Sequence, residues 1–370
     1  MYCAVRIAPI KKGLMGKSYM KNRIVCALLA AVLLLSGCSA NGNSSVLPDE
    51  TSFSETTVTT TETETTVTET TKAPEKLVFK RHVHTNLLSQ YVTEDMWQSL
   101  YNLMDAIYEG ADTFECSSKK AFDWCTHDTV IGTFLPPVCM FVEGDGFDDG
   151  TGRIKYKMDK DKLKERIDTF EKEIERMLNE AVRSDYSDFE KVMGLYAYIC
   201  KNFVYDYNPL DGQGVDDFSD YACLMKKNGI CCEIAGAYAY LLMQCDVEAT
   251  SMGGEGTAGF HSWTYVVING QGYHVDATWG LYGDYPNGIL NLQYFMLTEA
   301  ERAMDFEVEI KPDYLWPWVD VCDMKKFPSS DDRFHEMHDG NAIFKNMDTE
   351  KNTITYINNG SEVTFSYGDM

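Results

Sequence analysis

The stretch Asn269-Gly270-Gln271-Gly272 constrains this chain more than any other feature, because it separates two β-rich runs, Trp263-Thr-Tyr-Val-Val-Ile268 and Tyr273-His-Val-Asp-Ala-Thr278. Branched and aromatic residues on either side of an Asn/Gly turn read as an antiparallel hairpin, since asparagine and glycine tolerate the positive φ that a tight turn needs. A hairpin sets register, and register decides which side chains share a face. If the turn is Gly270-Gln271, Asp276 stands opposite Tyr265; if it is Asn269-Gly270, Asp276 stands opposite Trp263. Both partners are odd-numbered, as is His261, so either turn sends His261 and Asp276 to one face of the sheet. A three-residue loop or a bulge would reverse that.

Upstream, Lys226-Lys-Asn-Gly229 is loop material, and from Cys231 the pattern turns helical, with Ile234, Ala235, Tyr238, Leu241, Leu242 and Cys245 on one apolar face. Cys231 is therefore expected at or just before a helix N-terminus, where unpaired N–H groups and the helix dipole favour a thiolate. Gly253-Gly-Glu-Gly256 breaks the chain before the hairpin. Taken singly, Cys231 reads as a buried structural cysteine and His261 with Asp276 as an ordinary hydrogen-bonded pair. Taken together, a thiol at a helix start, an imidazole and a carboxylate form the residue set of covalent acyl transfer. Trp263 and Trp279 read as packing rather than substrate contacts.

Gly229-Ile-Cys231-Cys-Glu-Ile-Ala235, His261-Ser-Trp263 and Asp276-Ala-Thr-Trp279, in that order and 30 and then 15 positions apart at the Cys, His and Asp, resemble the transglutaminase-like superfamily. The flanks Ser184 to Tyr207 and Tyr294-Phe-Met-Leu-Thr298 look similar too, so the resemblance runs from about residue 184 to 306. It implies an α+β, papain-like core, with the Cys231 helix packed on an antiparallel sheet that carries His261 and Asp276. It also implies roles: Cys231 as nucleophile, His261 as its activating base, Asp276 as the group that orients the imidazole, and a thioester intermediate with no cofactor and no metal. Water as acceptor would make a peptidase or amidase; an amine would make a protein-glutamine acyltransferase. The chain departs from the pattern at Cys232 and Glu233, where relatives often carry Gln and Gly. Glu233 is expected to set a carboxylate beside the thiol and raise its pKa. That departure motivates an alternative, a surface binding or scaffold module that keeps the fold without catalysis. Tyr221 is the candidate side-chain oxyanion donor.

The N-terminus speaks to location. Lys11, Lys12, Lys17, Lys21 and Arg23 precede the apolar run Ile24 to Leu35. Spanning a bilayer takes roughly 18 or more apolar residues, so this run reads as the core of a signal peptide, residues 1–37, with Met20 an alternative start. Leu35-Ser36-Gly37-Cys38 resembles the lipobox of bacterial lipoproteins, which implies acylation of Cys38 and a protein held on the outer face of the cell membrane. Residues 38–75, built largely of Thr, Glu, Ser and Val around Thr51 to Thr71, have too little apolar surface to offset ordering entropy and read as a tether. The formal net charge of −24 excludes nucleic-acid partners, which a basic footprint would have to hold. The expected partners are the membrane, through Cys38, and a protein, peptide or cell-wall-like substrate.

The rest divides into an α-rich unit at 76–183, the core at 184–310 and a small β-rich unit at 311–370. Trp97 to Tyr108, about 159 to 182, and Phe189 to Asn202 show helical spacing. Cys116 to Tyr156 reads as irregular, with Gly144-Asp-Gly-Phe-Asp-Asp-Gly150 as turn material. Strands are expected at 314–319, 341–344, 353–357 and 362–367, with a turn at Asn358-Asn-Gly360. The mature cysteines besides Cys38 and Cys231 are Cys116, Cys125, Cys139, Cys200, Cys223, Cys232, Cys245 and Cys322, and export would permit disulfides among them. Cys116, Cys125, His127 and Cys139 match no standard zinc spacing. His335-Glu-Met-His338 lacks the i, i+4 spacing of helical metalloprotease sites and is expected on an exposed segment.

Overall fold

The computed structural model describes residues 74–207, 219–257, 259–282, 289–310 and 326–370. The signal segment, Cys38, nearly all of the Thr/Glu-rich tether, Cys322 and the strand expected at 314–319 lie outside the described residues.

The first helix, α1 (Glu94–Glu109), buries Met96, Trp97, Leu100, Leu103, Met104 and Ile107 along one stripe. After it come β1 (Thr113–Glu115), α2 (Lys119–Cys125), α3 (Asp128–Phe134), β2 (Val142–Asp148) and β3 (Thr151–Tyr156). The stretch expected to be irregular thus holds a hairpin, in a sheet of order β1-β3-β2. Its strand is Gly- and Asp-rich, so propensity hides it. The glycines serve a close approach instead: a Cβ on Gly144 would meet Phe122 Cζ at 2.7 Å and Thr126 Oγ1 at 2.8 Å. The hairpin closes through Asp149 and Gly150, at φ 41° and 78°.

Helix α4 (Lys160–Ala181) buries the stripe Leu163, Ile167, Phe170, Ile174, Met177 and Leu178, the one its spacing predicts. Helix α5 (Asp188–Asn202) opens on a capping box, with the Ser187 side chain accepting from Glu190 N–H and Glu190 reaching back to the Ser187 N–H. Next follow β4 (Val204–Tyr205), α6 (Asp220–Lys226), β5 (Asn228–Gly229) and α7 (Cys231–Gln244). Every residue of α7 from Glu233 to Gln244 is buried, as a helix apolar on all sides requires.

Strands β6 (Glu248–Gly256), β7 (Gly259–Ile268) and β8 (Gln271–Val275) form an antiparallel sheet that β9 (Glu309–Ile310) extends after α8 (Glu299–Met304), in the order β8-β7-β6-β9. Helix α7 packs on one face, where the Thr264 hydroxyl donates to the Ala235 carbonyl at 3.0 Å. The odd-numbered residues of β7 point the other way, and Trp263, Tyr265 and Val267 close a core with Leu87, Met252 and Val308. On the far side of α7, Tyr238 donates to the Val192 carbonyl of α5 at 2.7 Å. The class is α+β, with the Cys231 helix against an antiparallel sheet.

At the C-terminus β10 (Ile343–Asp348), β11 (Thr353–Asn358) and β12 (Ser361–Ser366) make their own antiparallel sheet, with Asn359 and Gly360 turning at φ 49° and 81°. It is tied to α5 through Phe189, whose ring lies 5.6 Å from Phe334 and 4.4 Å from Tyr367, and through the Tyr367 hydroxyl, 2.6 Å from Glu190 Oε1. Among the described residues no helix is long and apolar enough to cross a membrane.

Candidate active site

Cys231 is the first residue of α7, after Ile230 in extended geometry. The turn into the helix is tight. A Cβ at Gly229 would meet Cys223 Sγ at 2.9 Å and Glu233 Oε2 at 3.0 Å, so the close packing of α6 on α7 calls for glycine there. Glu233 does not stand beside the thiol as expected. Two residues apart on a helix, the side chains point in different directions, and Glu233 Oε2 turns back to accept the Ile230 N–H at 2.9 Å. Its carboxyl is a cap. Burial, partly relieved by that bond, lifts it to about 7.

The hairpin takes one of the two registers open to it. Ile268 pairs with Gln271 and Thr264 with Val275, and Asn269 and Gly270 turn at φ 50° and 77°. Asp276 follows β8 directly, and its Oδ2 lies 2.6 Å from His261 Nε2. Asp276 is fully buried, whereas the His261 side chain keeps 16 % of its surface exposed. Nε2 is the ring nitrogen that faces the carboxylate, and a proton on it is donated to Asp276. Cys231 is partly exposed and hydrogen-bonded to His261. Burial is the largest influence on Cys231 and opposes the thiolate; the His261 bond, its charge and a bond from the Ser262 N–H outweigh it and hold the thiol below its usual pKa. Burial likewise works against a charged His261, but the Asp276 charge and hydrogen bond, then Cys231, lift it to about 9. Each of the two groups is shifted in the direction that favours the ion pair.

Two residues join this cluster that sequence reasoning did not name. Arg302 of α8 is 1 % exposed; its guanidinium lies 3.7 Å from Asp276 Oδ2, 3.2 Å from Asp305 Oδ2, and 4.1 Å from the Trp263 ring centre. A buried carboxylate needs such a cation or it tends to neutralise. Tyr205 reaches Cys231 through the short parallel pairing of β4 with β5, where Tyr205 stands opposite Gly229. Burial, then the charges of Cys231 and Cys232, push its phenol well above the usual range. A tyrosine after a predicted helix in Asn202-Phe-Val-Tyr-Asp206 offered a faint signal; Arg302 offered none.

Around the cluster, Trp279 sits 5.5 Å from His261 and stacks on Phe306 at 5.9 Å, so it is more than remote packing. Trp263 is structural: its Nε1–H donates to His274 Nδ1 at 2.7 Å. Burial, helped by the Arg302 charge, drops the fully buried His274 to about 3. Tyr221 packs on α4, stacked on Phe170 at 5.7 Å with the Arg166 guanidinium 3.4 Å above its ring. The eight cysteines among the described residues are all thiols, and those of Cys116 and Cys125 donate to the Ser118 and Phe122 carbonyls at 3.5 and 3.6 Å. His127 caps α3, accepting the Thr129 N–H at 3.1 Å. The expected exposed His335–His338 segment is only half exposed: the His335 side chain is 71 % accessible and that of His338 7 %.

Residues 175–277 match the family model of the transglutaminase-like superfamily. The matched segment begins in α4 and ends one residue after Asp276, so the similarity begins and ends earlier than the expected 184 to 306. Two solved structures show similarity at low identity. One is a proposed cysteine protease from Cytophaga hutchinsonii, at 15 % identity and a TM-score of 0.25, covering 37 % of this chain and 61 % of that one. The other is a TGase, at 14 % identity and a TM-score of 0.25, covering 37 % of this chain and 43 % of that one. This chain thus spans less than two thirds of either. Comparison with curated proteins returns no match.

Proposed function

We propose that this protein is a cysteine-dependent acyl-transfer enzyme acting on amide bonds outside the cell, held at the outer face of the cell membrane through an acylated Cys38. What supports the reading is the 2.6 Å contact of His261 Nε2 with Asp276 Oδ2, together with the influence of His261 that holds the Cys231 thiol below its usual pKa. The imidazolium stabilises the thiolate, and the thiolate attacks the amide carbonyl carbon to form a C–S bond. The oxyanion that develops takes hydrogen bonds from the Cys231 N–H at the helix start and from the hydroxyl of Tyr205, whose strand position opposite Gly229 sets it near Cys231. Tyr205, rather than Tyr221, is the donor this geometry favours. As the C–N bond breaks, His261 gives its proton to the departing amine, and a thioester remains. Water or a second amine, deprotonated by His261, then attacks the thioester and restores the thiol, yielding an acid or a new amide. Asp276 keeps the imidazole in the useful orientation throughout.

Exposed Tyr207 packs by Tyr205, and exposed Phe306 stacks on Trp279, whose ring centre is 5.5 Å from that of His261, so aromatic surface suited to a peptide lies close to the proposed site. Glu233, turned into a helix cap, no longer speaks for an inactive scaffold. The test is turnover of glutamine-containing and cell-wall-type peptides by the full chain, with and without a primary amine, in wild type and Cys231→Ala. Loss of all amide turnover in the variant is expected; turnover that survives it would overturn the reading.

A further inference from the structure

Helix α8 carries, beside Arg302, a side chain that the acyl-transfer reading does not use. Glu301 Oε1 lies 2.6 Å from His335 Nδ1 and 2.9 Å from His338 Nδ1. Among the described residues these three form the one group of possible ligands that converges, with all their donor atoms within 4.8 Å of one another. The two histidines are three apart. They sit on a 3₁₀ turn, His335–Met337, with His338 at its end. Three residues per turn make i and i+3 eclipse, so this spacing does in a 3₁₀ turn what i, i+4 does in an α-helix.

We infer that Glu301, His335 and His338 bind a zinc ion. The outer bonds are those of a built site. His338 donates Nε2–H to the Phe295 carbonyl at 2.9 Å, which orients the ring and turns Nδ1 inward. Glu301 Oε2 accepts both the N–H and the hydroxyl of Thr298 at 2.8 Å, which leaves Oε1 to face the histidines. Metal-bound imidazoles and carboxylates are anchored in this way through their remaining atoms. His338 faces an acceptor with each nitrogen, the Phe295 carbonyl at 2.9 Å and Glu301 Oε1 at 2.9 Å.

One carboxylate oxygen and two imidazole nitrogens suit zinc, whereas calcium and magnesium take oxygen sets. Bonds of about 2.0–2.1 Å to a tetrahedral ion place ligand atoms roughly 3.3 Å apart, so the two Glu301–histidine contacts lengthen by roughly 0.4–0.7 Å on loading. His335, the exposed member, supplies that movement, and water fills the fourth position on its side. The ion ties α8, whose next residue Arg302 reaches Asp276, to the segment leading into β10. This site is independent of the acyl-transfer reading and stands or falls by itself.

The experiment uses the full chain in a Cys231→Ala background, stripped with chelator, then titrated with Co²⁺ alone and with Zn²⁺ alone. Expected are one equivalent of Co²⁺ with visible d–d bands and no thiolate charge-transfer band, displacement by Zn²⁺, and a Tm that rises with Zn²⁺. His335→Ala changes an exposed side chain and leaves the fold intact; it should weaken binding by about tenfold or more, and Glu301→Gln likewise. Absence of saturable binding, thiolate bands in the spectrum, or equal affinity in parent and both variants would each overturn the proposal.

Discussion

Replacing Asp276 with asparagine separates charge from shape at the point where the proposed site depends on charge. The Asp276 Oδ2 to His261 Nε2 contact is 2.6 Å and fully shielded on the aspartate side. Raising His261 from 6.5 to about 9 corresponds to roughly 3 kcal/mol in favour of the imidazolium. Burial opposes that preference, so Asp276 and Cys231 together supply more than its whole size. The amide oxygen of the substituted side chain could still accept the Nε2–H, but the negative charge is gone, and burial then pulls His261 back to 6.5 or lower. Without an imidazolium beside it, Cys231 feels mainly its own burial and rises back into or above the ordinary thiol range, which leaves little thiolate at neutral pH. Arg302 keeps Asp305 at 3.2 Å, so the substitution does not strand a buried cation. The assay is the rate of Cys231 alkylation, read by peptide mapping from acid to alkaline pH, with Tm as the folding control. Wild type should react well below the ordinary thiol range; Asp276→Asn should lose about tenfold or more at neutral pH and recover only in alkali. Superimposable profiles from two equally stable proteins would refute the electrostatic argument.

Two further outcomes follow from the same geometry. Tyr205→Phe removes a proposed oxyanion donor and should lower kcat by roughly 10²–10³ with KM little changed; an unchanged kcat would return Tyr205 to a packing role. Glu233 rises from 4.5 to about 7 in the folded protein, so its contribution to stability is whole below pH 4.5 and is lost as pH climbs through 7, roughly 3 kcal/mol in all. Glu233→Gln keeps an acceptor for the Ile230 N–H and has no proton to lose, so urea unfolding should show a more stable and less pH-sensitive protein above neutrality. Equal pH sensitivity in the two proteins would count against that account.

What could be read from the chain was what local pattern controls. The start of α7 at Cys231, the stripes of α4 and α5, and the hairpin that aligns His261 with Asp276 all follow from period and turn chemistry within a few dozen residues. The β2–β3 hairpin did not, because its strand is made of glycines and aspartates whose place is decided by Phe122 and Thr126 across the packing boundary. Glu233 lies away from the thiol because adjacency in sequence is not adjacency in space, and helical geometry turns it back onto the Ile230 N–H. Arg302 and Tyr205 reach the site from opposite sides of the core sequence, one through α8 and one through a two-residue strand. Neither position has a periodicity to betray it. The α-helical spacing rule is the wrong measure for His335 and His338, because the turn they occupy has another pitch.

The Asn269-Gly270 turn holds a constraint on how this protein can diverge. Its residues touch no part of the reacting cluster, so their identity is open to change wherever the backbone tolerates it. Their number is not. One inserted residue that shifted the register would carry Asp276 through to the α7 side of the sheet and leave His261 alone on the other, whereas two would restore the match. Among descendants of this sequence that keep the site, the loop should therefore grow or shrink by pairs, or carry a compensating bulge, and loop-length parity becomes a mark by which retained and abandoned sites can be told apart.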